Sequence, residues 1–323
     1  MTLHRGAIAM AVAVTAALAA CQPSAHRVAP PEPPSSSTST TLAATTTAPV
    51  ATTSTTGATT TTTLPAPPYP VASVTLALVD ASRPTVSRGT RVSASRALTT
   101  VVWYPTVGGP WPLVMFAAGY RVGPDTYSDL LRSWAAAGFV VAAPEFPLED
   151  QAVAGAALDE GDLTNEPADV AFVMAALLRP ADPVASRIAA DQVAVTGHSD
   201  GAEVALAVAQ EGLSAVKAAI IMSGQPVTPK QSPNPPLLVI QGNQDTINPP
   251  SLSQAVYDTA TPPRYFLTLI GAGHLPPYVP GTAWEPIVKA VTLDFLSLYL
   301  ARRTATDAAM RADANRPGLA ALS

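Results

Sequence analysis

The chain has 323 residues, of which 48% are hydrophobic and only 13% charged, with a net charge of −5. That balance supports a sizeable core and excludes wholesale disorder. With only three lysines (Lys217, Lys230, Lys289) there is no basic stripe for nucleic acid, and the single cysteine, Cys21, excludes an internal disulfide framework and a cysteine-based zinc site.

Residues 1–20 read as an export signal. Arg5 precedes a run, Ala7–Ala20, that is apolar except for Thr15. The run is shorter than the ~20 residues that span a bilayer and has the length of a signal-peptide core. It closes on Leu18-Ala19-Ala20-Cys21, which resembles a bacterial lipobox. On that reading Cys21 is acylated and holds the protein at the outer face of a bacterial cell membrane. Ordinary cleavage at the same place would secrete it instead.

Residues 21–69 read as a stalk. Between Ser35 and Thr63, 20 of 29 residues are Ser or Thr, so no apolar face exists to bury. As a flexible coil the segment spans about 40 Å. Ser/Thr-rich stretches with proline accept O-linked sugars or serve as plain spacers, and both readings stay open.

From Tyr69 the texture changes. Eight strands are expected: Val71–Val79, Thr99–Tyr104, Leu113–Ala117, Phe139–Ala143, Val193–Thr196, Ala218–Met222, Leu237–Gln241 and Tyr265–Ile270. Most are short apolar runs bounded by Gly, Pro or Asp, as strands buried on both faces should be. Helical patterns lie between them, at Tyr127–Ala136, Glu166–Leu178, Ala202–Gln210, Ser251–Thr259 and Ala283–Leu300. Asn165-Glu166-Pro167 reads as a helix start with Asn165 as N-cap. The alternation predicts one α/β domain over residues 70–303, with a mainly parallel eight-stranded sheet covered by helices on both faces. Residues 304–323 are left as a C-terminal tail. The proline-rich stretch from Met222 to Leu237 is too short for a helical cap, so no large cap domain is expected.

The strongest chemical signal is Gly197-His198-Ser199-Asp200-Gly201, set between a strand and a small-residue helix. Such a corner projects the serine hydroxyl above the sheet, and the flanking glycines relieve crowding. A serine needs a base. His4 lies in the signal, His26 in the stalk, and His198 should point away from Ser199. His274, just past the last predicted strand, remains. The acid that orients it is expected at Asp245, after the preceding strand, because Ser223–Leu237 contains no Asp or Glu. The order Ser199, Asp245, His274 suits this corner. Two backbone N–H groups must face the developing oxyanion. They are assigned to Asp200 and Tyr120, with Gly119 and Arg121 as the neighbouring possibilities for the second. Tyr120 and Met222 are expected to contact substrate, and Pro226 is a weaker wall candidate.

Together these stretches make the chain from about Val71 to Leu300 similar to the α/β-hydrolases. It most resembles the lidless branch of platelet-activating-factor acetylhydrolases, dienelactone hydrolases and cutinase-like polyester hydrolases. The matching segments are Arg96–Pro105, Pro112–Pro144, the elbow, Gln-Gly-Asn-Gln-Asp245 and Gly-Ala-Gly-His274. The resemblance implies carboxylic-ester hydrolysis through an acyl-enzyme, without a cofactor. This chain departs from the pattern in three places. Ser199 stands where dienelactone hydrolases carry cysteine, the C-terminal disulfide of many polyester hydrolases is missing, and Ala118-Gly119 replaces the usual His-Gly.

Between Glu149 and Asp169 lie seven acids and no Lys or Arg. A solvated rim with helix-capping acids is the expectation, and a calcium site the alternative. The sequence reading is therefore a monomeric serine esterase acting on short-acyl or polymer esters, with no metal. An acyltransferase using the same acyl-enzyme, and a non-catalytic binding lipoprotein, stand as the alternatives.

Overall fold

The computed structural model describes residues 66–180, 182–228, 233–300 and 307–323. The signal, Cys21 and the stalk through residue 65 lie outside the described residues. Tyr69, placed at the stalk's end by sequence, belongs to the folded part. It is buried, its ring lies 5.0 Å from that of Trp111, and its N–H donates to the Ala136 carbonyl.

The strands are β1 (Val71–Asp80), β2 (Thr85–Ser87), β3 (Thr90–Ser93), β4 (Arg96–Pro105), β5 (Trp111–Ala117), β6 (Val140–Pro144), β7 (Ile188–His198), β8 (Val216–Met222), β9 (Leu237–Gly242), β10 (Arg264–Leu269) and β11 (Ala320–Leu322). The helices are α1 (Ser128–Ala136), α2 (Gln151–Ala154), α3 (Glu166–Leu177), α4 (Asp200–Ala209), α5 (Pro250–Thr259), α6 (Glu285–Tyr299) and α7 (Asp307–Ala314). Nine strands form one sheet in the order β1-β4-β6-β5-β7-β8-β9-β10-β11, and β2 pairs with β3 apart from it. The run from β6 to β10 is parallel; β1 and β4 at one edge and β11 at the other are antiparallel. This is the expected mainly parallel α/β sheet, with a ninth strand added. Among the described residues no cap domain is present.

Burial explains the sequence texture. In β5, β6 and β9 every residue is buried, so alternation disappears, whereas β1 at the edge alternates. Two apolar layers result. One joins the sheet to α1, α6 and α7 through Trp134, Phe295 and Met310; the other joins it to α3, α4 and α5 through Val173, Val208 and Val256. The segment read as a tail supplies α7 and β11. Leu322 is buried, and residues 320–322 pair with 267–269 of β10.

The expected acidic rim is mostly interior. Asp150 and Asp159 do cap turns, through Ala152 N–H and Gly161 N–H. Glu149, Asp150, Asp162, Glu166 and Asp169, however, are all buried. Two of them are matched by an arginine distant in sequence. Arg96, 1% exposed, donates to both oxygens of Asp169 (2.7 and 2.5 Å) and both of Asp162 (3.0 and 2.7 Å). Arg83 adds a second contact to Asp169 at 2.6 Å and joins Asp80. A doubly bidentate guanidinium satisfies four carboxylate oxygens at once, which is what lets the charges be buried. Asn165 stands at the N-cap of α3 as read, but its side chain makes no cap bond. It donates to Asp162 Oδ1 instead.

Candidate active site

The site lies at the C-terminal ends of the parallel strands. Ser199 follows β7 and starts α4 with φ 57° and ψ −125°, a strained conformation for a residue with a side chain, worth about 1–3 kcal/mol. Its N–H donates to the Met222 carbonyl at 3.0 Å, which ties the corner to β8. The need for both glycines is steric. A Cβ on Gly197 would lie 2.0 Å from the Gly201 carbonyl oxygen, and one on Gly201 would lie 2.2 Å from that of Ala117. Both distances are impossible for non-bonded atoms, so the strand and helix meet only without side chains there.

Asp245 and His274 come together. His274 Nδ1 lies 2.7 Å from Asp245 Oδ2. Asp245 Oδ1 accepts from Ile247 N–H (2.9 Å) and Asn248 N–H (3.0 Å), and Oδ2 also accepts from Gln241 Nε2 at 3.1 Å. Burial works against the Asp245 charge, but the His274 contact and the Asn248 and Ile247 amides outweigh it and hold the carboxyl below its usual range. An ionised Asp245 accepts only, so His274 Nδ1 carries a proton and donates it in this bond.

The sequence directs the His198 side chain away from Ser199. Its side chain is buried. The Nδ1 atom lies 2.8 Å from the Tyr127 hydroxyl, and Nε2 lies 3.1 Å from the backbone carbonyl of His274. Its ring packs on those of His274 (4.6 Å) and Tyr278 (4.7 Å). Burial, aided by the neighbouring His274, drives its pKa down to about 3, so the ring is neutral. No sequence pattern links residues 127, 198 and 274; only the packing of α1 and the two loops does.

The loop after β5 also resolves. Arg121 N–H donates to the Glu149 carbonyl at 2.7 Å, and Gly119 packs on His198, where a Cβ would lie 3.1 Å from the His198 carbonyl oxygen. Tyr120 N–H has no partner among the described residues, nor has Asp200 N–H at the first turn of α4. Tyr120 is half-buried. Met222, expected to touch substrate, is fully buried instead. With Ala218 and Ile220 it shares the parity of β8 that faces α1 and α6, so its side chain fills the core and only its carbonyl serves the site. Pro226 is exposed and borders a cleft of about 340 Å³, together with Leu163, Pro167, Glu203, Val204 and Val227, on the outer side of α4.

Behind Asp200 sits an unneutralised acid group. Neither carboxyl oxygen of Glu149 or Glu166 has a hydrogen-bond partner among the described residues, nor has Asp200 Oδ2. Burial first, then the neighbouring acids, push Glu149 up to about 9 and Glu166 well above its ordinary value. Asp200 is raised for the same reason, and Glu203 is pushed up to about 7. Among the described residues no group of three or more His, Cys, Asp or Glu is arranged to hold a metal ion, so the calcium alternative gains no support.

A family model described as Chlorophyllase matches residues 73–243, just over half of the chain. The chain belongs to the chlorophyllase family. That family is one of α/β-hydrolase-fold serine esterases, in accord with the resemblance read from the motifs, and membership makes this protein a hydrolase of ester substrates. The matched region runs from β1 to just past β9. It contains Ser199 and the Tyr120 loop and stops two residues short of Asp245. No curated protein matches the chain.

Proposed function

We propose that the protein cleaves carboxylic esters through an acyl-enzyme on Ser199, with His274 as base and Asp245 as its orienting acid. The observation that carries this reading is the His274–Asp245 bond in a loop joined through its own carbonyl to the residue before Ser199. In the first step Ser199 Oγ bonds to the ester carbonyl carbon, and its proton passes to His274 Nε2. The oxyanion so formed accepts from the free N–H groups of Tyr120 and Asp200. Collapse breaks the bond to the alcohol oxygen, which takes the proton from His274 and leaves. Water then repeats the sequence on the acyl-enzyme. An alcohol in place of water would make the reaction an acyl transfer, and product analysis with and without added alcohol separates the two. Labelling of Ser199 by a fluorophosphonate is the direct test; failure of the folded protein to label would sink the reading.

Short acyl groups or exposed polymer esters are the expected substrates. The cleft beside α4 is apolar on its walls but carries the Glu203 carboxyl, bonded to Gln225 Nε2 at 2.6 Å. A long chain gains about 0.8 kcal/mol per CH₂ only where the surface it meets is apolar throughout. On p-nitrophenyl esters kcat/KM should therefore peak near C2–C6 and then fall. A maximum at C12 or longer would show that the cleft takes the acyl chain.

The lipobox reading places the enzyme on the outer face of a membrane. Among the described residues no helix is long and apolar enough to cross one, so anchoring would rest on Cys21. Cys21→Ala should move the protein from the membrane fraction to the medium or leave it unprocessed. Identical fractionation of the two forms would remove the anchor from the proposal.

A further inference from the structure

We propose that Tyr127 and His198 are positioning residues that fasten the base loop to the nucleophile's own strand. This rests on the Ser199–His274–Asp245 reading and adds the element that sets its spacing. The bonds run in one direction. A neutral His198 has one N–H, and a carbonyl can only accept, so Nε2–H donates to the His274 carbonyl at 3.1 Å. Nδ1 is then a bare acceptor and takes the Tyr127 O–H at 2.8 Å.

The two histidines thus carry opposite tautomers for separate reasons. His274 is fixed twice, by Asp245 on its ring and by His198 on its backbone. Both linking side chains are buried, Tyr127 fully and His198 with 2% exposure, so water does not compete for these bonds. Neither residue reaches the reacting atoms through a bond described here. Their effect is on where the base stands relative to Ser199. A displacement of about 1 Å between such groups costs on the order of a hundredfold in rate.

The test uses the full-length protein and two substitution sites. Tyr127→Phe keeps the ring packing and removes the hydroxyl, so His198 Nδ1 loses its partner. We expect kcat to fall about tenfold to a hundredfold with KM within about twofold. His198→Gln keeps an N–H donor for the His274 carbonyl, whereas His198→Leu does not. The glutamine variant should retain at least about ten times the kcat of the leucine variant. Nitrogen NMR of ¹⁵N-histidine-labelled protein should show His198 protonated on Nε2, and Tyr127→Phe should shift its Nδ1 resonance. Unchanged kcat in Tyr127→Phe, equal rates in the two His198 variants, or an Nδ1–H tautomer would overturn the proposal. Should Tyr127→Phe fail to fold, the His198 pair decides alone. Failure of the underlying reading looks different: Ser199→Ala would stay active and unmodified enzyme would not label with fluorophosphonate, while the NMR signatures would still report the bond chain.

Discussion

Ser199→Ala and His274→Ala should each lower kcat by about four to six orders of magnitude while leaving the fold intact. On the proposed mechanism the nucleophile and base act as one unit, so either loss removes the acyl-enzyme route entirely. The structure gives each substitution a reason to be tolerated. His274 is only partly buried, and its ring is not part of either apolar layer. Replacing Ser199 removes one hydroxyl and keeps the backbone that bonds to Met222. His198 cannot substitute for His274, because both of its nitrogens are engaged and burial keeps it neutral. Ester turnover with circular dichroism on the same samples checks the expectation. Substantial activity in folded His274→Ala would dismantle the base assignment.

Glu149→Gln should make the protein more stable than its parent at pH 9 and leave it nearly equal at pH 4. Glu149 has an ordinary pKa of 4.5, raised in the folded state to about 9, first by burial and then by Asp200 and other acids. The folded state therefore holds a proton that the unfolded chain releases. The stability from that proton is complete below about pH 4.5 and is lost as pH rises through about 9. At about 1.4 kcal/mol per pKa unit, and with the strain shared between Glu149 and Glu166, the loss is on the order of a few kcal/mol. Glutamine mimics the neutral acid at every pH and should flatten the decline. Urea unfolding at pH 4, 7 and 9 measures this; parallel pH profiles for the two proteins would mean that the carboxyl is not desolvated as placed. The carbonyl of the same residue holds Arg121 N–H, so alkaline loosening should begin at the oxyanion loop.

Much of this molecule was legible in the sequence because buried parallel strands leave continuous apolar runs between turn residues. Leu113–Ala117 and Leu237–Gln241 were read within a residue or two of β5 and β9 for that reason. The pairing of Asp245 with His274 was legible because strand ends put both on one rim. What escaped depended on partners remote in sequence. Arg96 begins a strand like many exposed arginines, and nothing near it announces acids 66 and 73 residues away. The side to which Met222 points follows from the parity of β8, which a shift of one residue would reverse. The hairpin of β2 and β3 has no apolar alternation to read, since every residue of β3 is exposed. At three residues, β11 is below the length at which a pattern exists.

That last short strand bears on the order in which the enzyme becomes complete. Ile270 N–H donates to the Leu319 carbonyl at 2.8 Å, and Phe266 exchanges two bonds with Ser323. The loop that carries the base thus borrows its outer fastening from residues that a ribosome delivers long after Ser199. Synthesis runs from the N-terminus, and folding of a domain follows what has emerged. The serine corner, with both its glycine contacts drawn from residues 117–201, can close early. The histidine loop is stitched down only when residues 319–323 arrive, so on the proposed mechanism a nascent chain holds its nucleophile before its base is fastened.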